Sequence, residues 1–171
     1  MTRVHTGIAL TLLGLGAAPA SAQGAAEPRA WLLGAGVASY PLADVHGTGW
    51  GAEAIVRRRL GPRLVLQARI TVIPSSTGFY DFGGAAADLG LGVVAGTPWF
   101  DGALVAGASG LAGGDSDGSF FAAGGGHLTA QATAWLGGAI GLYGNGAVRL
   151  LTGSGADYGV AGGSGGLAFR F

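Results

Sequence analysis

The chain has 171 residues, nine arginines balanced by nine carboxylates, no lysine and no cysteine. The lack of cysteine excludes a disulfide framework and thiolate metal sites. The zero net charge argues against a nucleic-acid partner, and the missing lysine removes P-loop and Schiff-base chemistry. Charged residues make up only 11% of the chain against about 25% in a typical soluble domain. That composition leans toward a membrane.

Residues 1–22 read as a secretory leader. Arg3 and His5 form a polar start, Gly7 to Ala18 is an apolar run, and Ala20-Ser21-Ala22 is a small-residue cleavage site. The run is too short for a spanning helix, which needs about 20 apolar residues. Residues 23–29 form a short N-terminal segment, and residues 30–171 are expected to form one domain.

Beyond the leader no apolar run reaches helix length, and 37 glycines count against helices. The recurring pattern has period two, which marks strands. Along 64–72 the apolar set is Leu64, Leu66, Ala68, Ile70 and Val72, alternating with Gln67, Arg69 and Thr71. Along 126–134 the alternation sets His127, Thr129, Gln131 and Thr133 against small or apolar residues. Along 140–150, Ile140, Leu142, Val148 and Leu150 oppose Tyr143, Asn145 and Arg149. Turn residues divide the chain into eight strands near 30–39, 50–58, 64–73, 82–95, 100–109, 120–136, 139–151 and 158–171. Three short connections (59–63, 96–99, 137–138) alternate with four longer ones (40–49, 74–81, 110–119, 152–157).

Short turns at one end and long loops at the other suit an all-β, closed, antiparallel, eight-stranded up-and-down transmembrane β-barrel. A sheet in hydrocarbon must close, because an open edge leaves backbone groups unpaired. The apolar face then points to lipid and the polar face inward. The expected lumen network is Glu53, Arg57, Gln67, Arg69, Asp88, His127, Gln131, Asn145 and Arg149, with Thr71 and Thr129. A hairpin of the second and third strands centred on Gly61 puts Glu53 opposite Arg69 and predicts an acid–base contact inside. Trp31, Trp50, Trp99, Trp135 and Tyr158 fall near strand ends and are expected in interfacial girdles, with Tyr40, Phe79, Tyr80, Phe82, Phe120 and Phe121 toward the long-loop end.

The last residues, Gly165-Gly166-Leu167-Ala168-Phe169-Arg170-Phe171, resemble the C-terminal signal of bacterial outer-membrane barrels. Leu167, Phe169 and Phe171 match its outward apolar positions. The chain resembles the small eight-stranded barrels related to outer membrane proteins A and X, without a peptidoglycan-binding domain after the barrel. The resemblance implies a monomer in the bacterial outer membrane, with lipids and the barrel-assembly machinery as partners. It implies a structural or surface-interaction role and no general porin function, since wide aqueous pores need about 16–18 strands.

Other motifs weigh less. Gly90-Leu91-Gly92-Val93-Val94-Ala95 fits a dinucleotide fingerprint with Asp115 downstream, but Gly96 and Pro98 stop the helix it needs. Gly162 to Gly166 fits a nucleophile elbow with no acid or histidine after it. Gly113 to Gly118 lacks the glutamate of a calcium loop. His127-Leu128-Thr129 resembles the His-x-Ser pair of outer-membrane lipid A deacylases. Thr129 stands for serine, no carboxylate lies between Asp117 and Asp157, and His127 has inward parity. No catalytic residue, cofactor or metal is expected. The alternatives are that deacylase-type enzyme and a soluble secreted β-barrel holding an apolar ligand, which would carry its charges outside.

Overall fold

Strands with one apolar and one polar face satisfy both faces only if the sheet closes around one of them. In the computed structural model, which describes residues 30–42, 47–74, 83–114, 118–153 and 156–171, eight antiparallel strands do so. They are β1 (Trp31–Leu42), β2 (Gly47–Arg59), β3 (Leu64–Ile73), β4 (Gly83–Gly96), β5 (Phe100–Gly114), β6 (Phe120–Trp135), β7 (Ile140–Gly153) and β8 (Ala156–Arg170). Each pairs with its chain neighbours, and β8 closes on β1. The expected leader, residues 23–29, and Phe79, Tyr80 and Phe82 lie outside the described residues.

The barrel is staggered. Following paired residues from Leu167 through Ala35, Ala54, Ile70, Ala87, Gly110, Gly124 and Thr152 returns to β8 at Asp157, ten residues from the start. Such a stagger goes with strands tilted about 40° from the axis. Glycine permits the close approach of strands at several seams. A Cβ on Gly107 would lie 2.1 Å from the Leu89 carbonyl oxygen across β4 and β5. One on Gly166 would lie 2.1 Å from that of Ala35 across β8 and β1.

Two expectations about the strands and their connections need correction. The β2–β3 hairpin centres on Pro62, not Gly61: Leu60 N donates to Leu64 O at 2.9 Å, and Glu53 sits opposite Thr71. Proline has no N–H to give the ladder, so it takes the apex. The shift is two residues, so every side chain keeps its face. Arg69 still reaches Glu53 diagonally, Nη1 to Oε2 at 3.8 Å. Second, strands occupy much of the expected long loops. β5 runs on to Gly114, and only residues 43–46 and 154–155 separate β1 from β2 and β7 from β8. A tilted strand needs about 9–11 residues to cross a bilayer, so the 15 and 16 residues of β5 and β6 exceed that span.

Candidate functional site

The barrel interior holds the concentrated chemistry. Asp88 on β4 is its hub. It accepts hydrogen bonds from Arg69 Nε (2.7 Å) and Nη2 of β3, and from Ser109 Oγ of β5 (2.5 Å). Arg149 of β7 crosses the lumen to donate through Nε (3.0 Å) and Nη2 (2.7 Å). Arg69 also donates from Nη1 to Asn145 Oδ1 at 3.2 Å. Glu53 Oε1 receives Tyr143 Oη (3.1 Å), Asn145 Nδ2 (3.0 Å) and Ser164 Oγ (2.5 Å). Six of the eight strands thus meet in one polar network. Each charge in it is buried, so it persists only because it is paired and hydrogen-bonded.

A second ion pair lies nearer the short turns. Arg57 Nη2 donates to Asp101 Oδ1 at 2.7 Å, and Trp135 Nε1 donates to Asp101 Oδ2 at 2.8 Å. Arg170 lies over the Trp135 ring at 4.1 Å and donates to Gly138 O and Pro98 O, tying two turns together. Two apolar clusters fill this half of the lumen: Leu32, Ile55, Trp135, Tyr143 and Ala168, and Val65, Val94, Ala103 and Val105. The interior is therefore layered, with the apolar clusters and the Arg57–Asp101 pair toward the short turns and the ions around Asp88 above them. The inward face there is apolar, beside the polar residues expected in the lumen. Counting charges inside, Glu53, Asp88 and Asp101 balance Arg57, Arg69 and Arg149.

All nine expected lumen residues point inward; Asn145 is partly exposed and the rest are buried. Gln67, Thr129 and Gln131 join no ion pair, and their Oε1, Oγ1 and Oε1 atoms find no hydrogen-bond partner among the described residues. His127 Nδ1 donates to Ala108 O at 3.0 Å and lies 4.0 Å from Asp88 Oδ1. Thr129 is inside with it, enclosed and away from the apolar outer surface. Gly90–Ala95 is unbroken β4, and Gly162–Gly166 is unbroken β8. Among the described residues, no cluster of three or more His, Asp or Glu could hold a metal.

The exterior is apolar. Ile70, Leu89, Leu91, Leu128 and Leu142 are each about half exposed, at 56, 56, 54, 51 and 48%. Trp31, Trp50, Trp99 and Phe120 are also exposed. Trp135 departs from the expected girdle: it is 4% exposed, turned inward, with its N–H on Asp101. A buried indole needs such an acceptor, and the carboxylate supplies it. Tyr158 pairs with Leu151 in the ladder, and its side chain, like that of Tyr40, lies outside the described residues. Leu167, Phe169 and Phe171 face outward. Sequence reasoning missed Asp101, Ser109 and Ser164 as network members. Their strand parity was available: Asp101 and Ser109 share the phase of Val105, and Ser164 that of Ala168.

Solved structures share this architecture. Neisserial surface protein A superimposes with a TM-score of 0.59 at 12% identity, over 82% of this chain and 97% of that one. The attachment invasion locus protein Ail of Yersinia pestis gives 0.55 at 11% identity, over 83% and 97%. The N-terminal β-barrel domain of Pseudomonas aeruginosa OprF gives 0.55 at 12% identity, over 84% and 98%. No protein-family model matches the chain, and no curated protein matches it. The fold is that of the small eight-stranded outer-membrane barrels.

Proposed function

We propose that this chain is a bacterial outer-membrane protein with a closed lumen and a structural or surface-interaction role. The observation that carries this reading is its polarity: three carboxylates and three arginines enclosed, most leucines, with Ile70 and Ile140, outside. A soluble barrel has the opposite arrangement, and exposed apolar surface on that scale has a partner. In hydrocarbon the apolar exterior is matched by lipid, and closure leaves no strand edge. The layered interior supports a non-porin role, since side chains fill the half nearest the short turns. Enclosure of His127 and Thr129 speaks against deacylase-type chemistry on lipid.

In this reading residues 1–22 are removed on export, residues 30–171 form the barrel, and Leu167, Phe169 and Phe171 address the assembly machinery. The monomer sits with its short turns toward the periplasm. The strand ends beyond the membrane thickness present the remaining connections outside. One solved neighbour is an attachment invasion locus protein, which fits a surface-interaction role for such a scaffold. The test is gel mobility of the folded protein with and without boiling, together with recovery in outer-membrane fractions. A heat-dependent shift and membrane recovery are expected; their joint absence refutes the reading. Planar-bilayer recordings should show no steady porin-sized conductance.

A further inference from the structure

The charges outside the lumen are not evenly spread. Arg58, Arg59 and Arg63 lie together at the short-turn end, across the end of β2 and the turn into β3. Arg58 and Arg63 are exposed; Arg59, in the inward phase of Arg57, is partly exposed at the rim and donates from Nη1 to Pro62 O at 3.2 Å. None pairs with a carboxylate among the described residues: Asp101 is held by Arg57, and Glu53 and Asp88 are enclosed. At the opposite end, exposed Asp157 lies at the start of β8 and accepts from Thr152 Oγ1 at 2.8 Å.

The basic cluster also sits at a defined height. Trp31 and Arg58 are ladder partners on the outer face, with the Arg58 guanidinium 5.2 Å from the Trp31 ring centroid. One outward step toward the barrel's middle lie Leu33 and Val56, exposed and also paired with each other. On β3, exposed Leu64 lies opposite exposed Leu60, on the turn side of Arg58. The arginines therefore sit at the short-turn rim of the apolar outer face, interleaved with Leu60 and Leu64. An indole marks the interface, and the stacked guanidinium keeps its N–H edge free toward the headgroup layer. Guanidinium groups bind phosphate oxygens bidentately.

We propose that Arg58, Arg59 and Arg63, backed by Trp31, form a binding site for the phosphate headgroup of an anionic phospholipid in the leaflet at the short-turn end. This rests on the membrane reading above and adds a lipid preference to it. A single arginine near an anionic surface contributes roughly a fivefold factor in affinity, so three together favour anionic over zwitterionic lipid by about a hundredfold. The preference weakens with salt.

The experiment reconstitutes the full barrel in nanodiscs of phosphatidylcholine mixed with phosphatidylglycerol. Lipids retained after detergent release are counted by native mass spectrometry. The wild type should retain phosphatidylglycerol selectively. R58Q/R59Q/R63Q should lose that selectivity by at least tenfold while keeping its heat-dependent gel shift, and D157N should behave as wild type. A folded triple variant with undiminished selectivity overturns the proposal. So does a wild type that inserts without preference, or one that retains lipopolysaccharide in place of phosphatidylglycerol when both are offered. Failure of the wild type to insert into any bilayer refutes the membrane reading itself.

Discussion

Neutralising Asp88 gives the sharpest test of how the lumen is held together. The carboxylate takes hydrogen bonds from two arginines on different strands, and Arg149 grips it with two nitrogens. D88N keeps the shape and an acceptor for Ser109 but removes the charge that both guanidinium groups face. Breaking a buried ion pair by removing one partner costs about 3–5 kcal/mol, because the other charge stays buried. Arg69 keeps Glu53 at 3.8 Å, which argues for the lower end, about 3 kcal/mol.

With a urea dependence of about 2 kcal/mol per molar, the unfolding midpoint should fall by about 1.5 M. Tryptophan fluorescence in detergent micelles reads the transition. D88N/R149Q restores the balance of charges inside and should regain about 2 kcal/mol of the loss. A D88N midpoint within about 0.5 M of wild type refutes the reasoning. A double variant no more stable than D88N does so as well, because the penalty then is not one of stranded charge.

The remaining predictions probe the same architecture elsewhere. Leu89 is half exposed at mid-strand beside inward Asp88, so L89R should cost about 2–4 kcal/mol in a bilayer; a change below about 0.5 kcal/mol would mean that water covers this face. G107A should abolish the heat-dependent gel shift, since its Cβ would meet the Leu89 carbonyl, whereas G110A has nothing within 4 Å and should fold normally. Single-tryptophan variants in brominated lipid should show Trp31, Trp50 and Trp99 quenched and Trp135 protected; strong quenching of Trp135 would place it outside the lumen. W135F removes the N–H donor to Asp101 and should cost about 1–3 kcal/mol in the same urea assay.

Side-chain parity was the most legible feature of the sequence. Period two alone sends Gln67, Arg69, His127, Gln131 and Arg149 inward, because a strand has only two faces and polar residues marked one of them. Strand ends were less legible. β5 continues through Gly110-Leu111-Ala112-Gly113-Gly114, where small residues carry no alternation and only pairing with β4 and β6 reveals a strand. The hairpin register turned on Pro62, whose missing donor outweighs the glycine beside it. Trp135 shares the phase of Gln131 and Thr133, so its parity did point inward. Its place at a strand end suggested an interface, and the deciding acceptor, Asp101, lies 34 residues away. Partners such as Arg57 and Asp101, 44 residues apart, follow only from the closure of the barrel.

Closure also changes where stability must come from. The ladder pairs every neighbouring strand, so no edge remains to be covered, and backbone hydrogen bonding is nearly the same whatever the side chains are. The outer face adds little in places: Gly102, Ala106, Ala108 and Gly110 along β5 offer lipid small or no side chains. The differences among strand neighbours are therefore set mostly within the lumen, by the apolar plugs and by the ions around Asp88. That asymmetry explains how so glycine-rich a chain keeps a single register. Slipping one strand by one residue would place Arg69 or Arg149 in hydrocarbon at roughly 2–4 kcal/mol each and strand the carboxylate they share. The buried charges thus specify the barrel at least as much as they stabilise it.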